Sequence, residues 1–330
     1  MTVERIAFLW RGAFQPVYWR WIFIAMGALV FVLVLIALRA GRGKRLLPLA
    51  LILPLTGAGA VYAARLVHWY CRSEDYAGLA AAMKELTRGG FSLAGGLAGG
   101  LAVIGLLGLV RIIPDLPDFL DDTAPAAGLG IAVGRLGDLY GLVDHGRIVF
   151  EEAARQRLPL ASPVYNPVAG TYEWRLATFC LQSLWVGGIS LLALAILLFR
   201  RRRGTERPGR AAVLVLTLYC LGQILFESTR YDALFLRSNG FVSMEQILCA
   251  LVLTGLLLTG VRTADRRKSL WRAGLYLAGL GLAGFMEYYV QRHGGAYAAA
   301  YSGMAAGLAL MLLGLRLPAE KAEKTPAEPK

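Results

Sequence analysis

Uncharged runs of about twenty apolar residues recur along almost the whole of this chain, and no other feature of the sequence restricts its fold as strongly. The clearest are Trp21–Leu38, Leu46–Ala64, Phe91–Val110, Leu176–Phe199, Ala211–Phe226, Gln246–Val261 and Ala296–Leu315. A further run, Leu270–Val290, is interrupted by Arg272 and Glu287, and a weaker one, Thr123–Val143, carries Arg135 and Asp138 in its second half. Crossing the hydrocarbon core takes about 20 predominantly apolar residues, so the runs predict about nine spans. They are continuous and rich in Leu and Ala, whereas barrel strands alternate and are about half as long. The expected fold is all-α: a polytopic transmembrane helix bundle. With 57% of its 330 residues hydrophobic and 17% charged, the chain has far more apolar surface than a soluble fold can use. The first run is long and lacks a small-residue cleavage site, so it reads as an uncleaved first helix.

Lys and Arg set the expected orientation, because short cytoplasmic loops hold an excess of them. Arg39, Arg42, Lys44 and Arg45 follow the first span. Arg200 to Arg203 with Arg207 and Arg210 follow the fifth, and Arg262, Arg266, Arg267, Lys268 and Arg272 follow the seventh. All three clusters fall on one side if the N-terminus is outside and the C-terminus cytoplasmic. Topology and contact with anionic lipid thus account for most of the net charge of +13. Nucleic-acid binding is the poorer reading, because no basic residues interleave with aromatics on a soluble module. The Pro-, Lys- and Glu-rich tail 318–330 is expected to be disordered in the cytoplasm. The long loop from Asp144 to Arg175 is expected outside, as irregular structure or a short interfacial helix.

Cys71, Cys180, Cys220 and Cys249 show no CxxC spacing, and His68, His145 and His293 are scattered, so neither a metal site nor a cofactor is expected. The informative charges are arginines on the side that the positive-inside rule disfavours: Arg65, Arg135, Arg230 and Arg292, each at or near the outer end of a span. They either snorkel to lipid headgroups or line a cavity. Arg135 lies between Gly134 and Gly137, where missing side chains let a ligand or another backbone approach. Asp121, Glu227 and Asp232 are candidate counter-ions. The glycine-rich stretch from Gly89 to Gly100 spaces Gly95 with Gly99 and Gly96 with Gly100 for close helix packing, or forms a pocket wall level with Arg65 and Arg135. A basic, glycine-walled pocket at headgroup level suits an anionic phospholipid, because arginine holds phosphate with a planar donor fork.

The order and spacing of these pieces resembles the prolipoprotein diacylglyceryl transferase family. GRLGDLYGLVDHGR, from Gly134 to Arg147, is similar to that family's GRxGNFxNxExxGR at the same internal length. ARL at Ala64–Leu66, GGFSLAGG (family GGxSFHGG), the DxxAP-like Asp121, Ala124 and Pro125, FESTRYD and GFVSMEQIL (family xxSMGQIL) follow collinearly. The resemblance implies a multi-pass enzyme of the bacterial cytoplasmic (inner) membrane. In its reaction the lipobox cysteine thiol of a prolipoprotein attacks the glyceryl carbon of phosphatidylglycerol, and glycerol phosphate leaves. By position, Arg135 and Arg230 would act on that phosphate. Gly95, Gly96 and Gly146 would shape the pocket, Arg65 would assist at its edge, and Gly134, Gly137, Asp121, Asp138 and Glu227 would complete the substrate site. Phosphatidylglycerol or another anionic phospholipid, and the prolipoprotein signal peptide, are the implied partners.

The chain also departs from the pattern. Ala94 stands at the HGG histidine, Asp138 at the Asn of GRxGN, and Gly141 and Val143 at the following Asn and Glu; Gln182 stands near the acid of HPxQLYE, and Arg20-Trp21 replaces a Trp-Tyr pair. Alanine cannot move a proton, which leaves His68 or His145 as candidate bases. Residues 1–263 form the transferase-like domain, 264–317 an additional hairpin containing Glu287, and 318–330 the tail. The functions in view are a diverged diacylglyceryl transferase, a non-catalytic relative binding anionic phospholipid or lipoprotein, and a related transferase with another acceptor.

Overall fold

The computed structural model describes residues 16–86, 89–140, 143–150, 160–166, 170–235, 240–262, 266–293 and 295–315; the expected tail 318–330 and Gly141 lie outside them. Among the described residues nine helices have 17 or more residues: α1 (Pro16–Ala40), α2 (Leu49–Cys71), α4 (Leu93–Leu109), α5 (Leu116–Arg135), α6 (Thr178–Arg202), α7 (Arg210–Thr229), α8 (Met244–Arg262), α9 (Arg266–Arg292) and α10 (Tyr297–Leu315). A short helix, α3 (Leu79–Lys84), lies between α2 and α4. Five of these, α1, α2, α6, α7 and α10, are long and apolar enough to cross a membrane. α4 is apolar but shorter: its 17 residues rise about 26 Å, against about 30 Å of hydrocarbon. α5 and α9 are long enough but carry more charge.

The chain divides into two compact units, Met1–Cys249 and Ala250–Lys330. In the first, α5 packs against α1, α6 and α7, and α2 packs against α4. Glycine permits both close approaches. A Cβ on Gly27 of α1 would lie 2.3 Å from the Gly130 carbonyl of α5, and one on Gly137 would lie 2.8 Å from the Phe23 Cβ. In the other pair, a Cβ on Gly99 would lie 2.6 Å from the Gly59 carbonyl, and one on Gly95 2.8 Å from the Ala63 carbonyl. With no hydrophobic drive between helices in lipid, such backbone contacts carry much of the packing.

Two boundaries differ from the sequence expectation. α5 begins seven residues before Thr123 and ends at Arg135, after which Leu136–Tyr140 tighten into a 3-10 turn. Arg135 therefore terminates a helix instead of interrupting one. The loop from Asp144 to Arg175 contains an antiparallel hairpin, β1 (Ala161–Asn166) and β2 (Thr171–Leu176), in place of the expected irregular or helical segment. Its β-branched and aromatic residues flank a turn at Gly170, which has a φ of +65° that favours glycine. Residues 146–149 run along the other edge of β2, with Val149 N donating to Trp174 O at 2.8 Å and Leu176 N to Arg147 O at 2.9 Å.

In the second unit α9 and α10 pack through reciprocal glycines: a Cβ on Gly279 would lie 2.4 Å from the Gly307 carbonyl, and one on Gly307 2.7 Å from the Gly279 carbonyl. Arg272, one of the two charges that interrupt the α9 run, donates to the carbonyls of Gly314 (2.9 Å), Leu315 (2.7 Å) and Gly260 (3.2 Å). These carbonyls lie in the last turns of α10 and α8.

Candidate phosphate site at the end of α5

Arg135 ends α5, and Arg230 directly follows α7 with its backbone already extended. The segment 143–146 threads between them. Phe179 N donates to Asp144 O at 2.9 Å, Tyr231 N to His145 O at 3.1 Å, and Gly146 N to Leu176 O at 2.7 Å. A Cβ on Gly146 would meet the Leu176 Cβ, the Thr178 hydroxyl and the Thr229 carbonyl within 2.8–2.9 Å, so no larger residue lets the segment pass. This path carries Asp144 to a point where its two carboxylate oxygens bridge the two arginines, Oδ2 at 3.1 Å from Arg135 Nη1 and Oδ1 at 2.6 Å from Arg230 Nη2. Both guanidiniums are buried, Arg135 at 5% side-chain exposure and Arg230 at 11%.

Three more acids face the pair. Arg230 contacts Glu227 at 3.0 Å and Asp232 at 3.1 Å, while Asp232 Oδ2 accepts from Asp144 N at 3.0 Å. Glu245, in the first turn of α8, stands 3.8 Å from Arg230 and 4.0 Å from Arg135, and accepts from Gln223 Nε2 at 2.8 Å. Arg135 also donates to Gln182 Oε1. Beside these filled contacts, buried polar atoms are left without a hydrogen-bond partner among the described residues: Arg135 Nε, Gln182 Nε2 and the Tyr219 hydroxyl, with Tyr219 in electrostatic reach of Arg135 and Glu245. Buried donors in that state cost free energy until an acceptor arrives. Burial raises the Asp144 carboxyl, but Arg230 and then Arg135 outweigh it and hold it below the usual carboxylate range. Asp138 is pushed well above that range, first by burial and then by Asp144, while Arg20 opposes the shift from 2.8 Å. Asp138 thus pairs with Arg20, one of the replacements at the Trp-Tyr position.

The other expected site residues lie elsewhere. Arg65 is fully buried and donates to the carbonyls of Ala82, Glu85, Gly89 and Gly90 and to the Tyr76 hydroxyl, so it ties down the α2–α4 connection. Gly95 and Gly96 face α2, against Ala63, Val67, Ala60 and Ala64. Gly134 and Gly137 face α1, at Ile24 and at Phe23 and Arg20, so the backbone that comes close there is a helix of the same chain. Asp121 lies near the start of α5, about 20 Å along the axis from Arg135. Its carboxylate accepts from Gly209 N at 2.7 Å and Ala212 N at 2.8 Å, capping α7. It is not a counter-ion of the Arg135 pair; Glu227 and Asp232 are. Ala94 is buried at the histidine position. Of the candidate bases, His68 Nδ1 lies 3.1 Å from the Tyr76 hydroxyl beside Arg65. His145 is fully buried, bonded through Nδ1 to Val143 O at 2.8 Å and packed on Phe179, and burial lowers its pKa. Sequence reasoning missed Asp144 and Glu245. Their signals were an acid one place after the signature's expected Glu position, and a Glu where the SMGQIL-like segment has Gly.

Comparison with known proteins agrees with the motif reading. The family model described as prolipoprotein diacylglyceryl transferase matches residues 7–261. The chain is 29% identical over 200 residues to the phosphatidylglycerol–prolipoprotein diacylglyceryl transferase of Synechococcus elongatus, covering 58% of this chain and 65% of that protein. Against the protein of the same name from Parasynechococcus marenigrum it is 27% identical over 257 residues, 73% of this chain and 88% of that one. Against transferase 1 of Streptomyces coelicolor it is 30% identical over 172 residues, 51% and 47% of the two chains. The matched segments thus span from about half to about nine-tenths of these relatives' lengths. No solved structure matches. The match takes in every helix from α1 to α7 and nearly all of α8, with both arginines of the Asp144 bridge inside it, and the chain belongs to the prolipoprotein diacylglyceryl transferase family.

Proposed function

We propose that the protein is a diverged prolipoprotein diacylglyceryl transferase that moves a diacylglyceryl group from phosphatidylglycerol to the lipobox cysteine thiol of a prolipoprotein. One observation carries this reading: two buried guanidiniums from separate helices meet on one carboxylate, with unfilled donors beside them. In the reaction the thiol sulfur bonds to the glyceryl carbon as the carbon–oxygen bond to phosphate breaks. The thiol proton ends on the departing phosphate monoester, so the balance closes without a histidine at position 94. Charge grows on the phosphate as it leaves, and Arg135 and Arg230 oppose that growth in a water-poor site, where such contacts are worth most. The basic residues Arg39, Arg42 and Arg201 gather at the far end of α5, around Asp118 and Asp122. That distribution supports a nine-span arrangement with the N-terminus outside and the Arg135 end at the outer leaflet.

The test is to express the chain in cells depleted of their own transferase and to follow lipoprotein mass. A gain of one diacylglyceryl group, lost in Arg135→Gln, is the expected result; no gain from the unaltered chain overturns catalysis. Ala94 favours a second reading, a relative that binds phospholipid without turning it over. It predicts retained phosphatidylglycerol and no mass gain.

A further inference from the structure

We infer that Glu245 determines headgroup specificity: its carboxylate occupies the place between Arg135 and Arg230 that a lipid phosphate takes, and so competes with the anionic headgroup. This rests on the phospholipid reading of the site. Two acids face both arginines, and they are held very differently. Asp144 makes direct bonds of 2.6 and 3.1 Å to the guanidiniums, and its backbone is fixed on both sides by Asp232 and Phe179 N. Glu245 stands 3.8 and 4.0 Å from them, beyond hydrogen-bond distance, and among the described residues its one direct bond comes from Gln223 at 2.8 Å. Its backbone is nonetheless secure. Ser243 N donates to Gln246 Oε1 at 2.9 Å and Gln246 N to Ser243 Oγ at 3.2 Å, closing the start of α8 around it. Rotation about the side chain alone therefore moves the carboxylate out while α8 stays in place.

Charge favours that displacement. Asp144, Asp232 and Glu245 set acids against the two guanidiniums, with Glu227 beside them, so a phosphate joins most easily where one acid gives way. Glu245 is the acid least tightly held. The segment GFVSMEQIL has Glu at the position where the family pattern it resembles has Gly. A displaced carboxylate is best received by a headgroup that brings its own donors. The hydroxyls of a glycerol headgroup supply them, and the bare phosphate of phosphatidic acid brings far less. Glu245 thereby favours the first over the second.

The experiment is native mass spectrometry of the purified full chain with phosphatidylglycerol or phosphatidic acid of identical acyl chains. Glu245→Gln keeps an oxygen for Gln223 and removes the charge; Glu245→Gly removes the side chain. Both should raise retention of phosphatidic acid by about tenfold or more, and of phosphatidylglycerol by less, because a like charge has left the site. Adding Arg135→Gln to Glu245→Gln should abolish the gain. Unchanged or reduced phosphatidic acid retention in both variants overturns the inference, as does a gain that survives loss of Arg135. If Arg135→Gln in the otherwise unaltered chain leaves phosphatidylglycerol retention intact, it is the phosphate-site reading itself that fails.

Discussion

The two ends of α5 each hold a buried cluster of charges, and they differ in which atoms are left unfilled. At the N-terminal end Asp122 is faced by Arg201 at 2.7 Å, Arg39 at 3.5 Å and Arg42 at 3.7 Å, and Asp118 by Arg42 at 2.5 Å. Among the described residues the buried atoms without hydrogen bonds there are mostly carboxylate oxygens, Asp118 Oδ2 and Asp122 Oδ2, already neutralised by cations, with Arg39 Nε the one donor. At the C-terminal end, among the described residues, Asp138 Oδ1 and Arg20 Nε are left facing each other and His145 Nε2 is unfilled, but around the bridged arginines the unfilled atoms are Arg135 Nε, Gln182 Nε2 and the Tyr219 hydroxyl. A cluster that closes on itself is a clasp holding helix ends together, whereas donors left over beside a bridged pair of arginines fit an acceptor-rich ligand. Burial and charge alone do not separate these cases.

The largest effect that sharpens this contrast is at the bridge. Arg135→Gln and Arg230→Gln should each lower transfer by at least about 10²-fold, the usual scale for losing a preorganised donor to a developing oxyanion. Lipoprotein mass gain per folded molecule measures it. Asp122→Asn, at the other end, should lower stability by about 3 kcal/mol by taking the charge partner from Arg39 and leaving Arg42 and Arg201 to Asp118 and Glu206 alone, while transfer per folded molecule stays unchanged. Thermal unfolding with the mass assay checks both halves, and a loss of transfer in folded Asp122→Asn would break the comparison. Gly137→Ala should cost about 1–3 kcal/mol, since its Cβ would press on Phe23 and the Arg20 carbonyl and push α1 from α5.

The smallest effect expected is a pH dependence. Burial lowers the pKa of His145 from its ordinary 6.5, so the unfolded chain binds that proton more readily than the folded one. Its stabilising contribution is therefore present above about pH 6.5 and fades as pH falls toward the lowered value. Between about pH 7.5 and 5.5 the unaltered chain should lose more thermal stability than His145→Gln. Asp138, shifted upward, titrates in both proteins and cancels in the difference.

Much of this architecture was readable from residues in order. Apolar runs of span length located the helices, glycines four apart predicted close helix packing without naming α2 as the partner, and arginines near the ends of spans included Arg135 and Arg230 alongside Arg65 and Arg292. What was not readable depended on the path of connections. Asp144 reaches both arginines only because residues 146–149 pair with β2 and Gly146 passes between Thr178 and Thr229. Arg65 resembles Arg135 in sequence, yet the carbonyls at 82, 85, 89 and 90 close around it. Asp121 sits near the signature in the chain but a helix length from it in space.

On the proposed reading Arg135 and Arg230 hold a phospholipid phosphate, whereas the Asp122 cluster holds none. Native mass spectrometry of phosphatidylglycerol retained by the unaltered chain, Arg135→Gln and Asp122→Asn tests it most directly. Retention in the first and third with loss in the second is the predicted result. Equal retention by all three would contradict it.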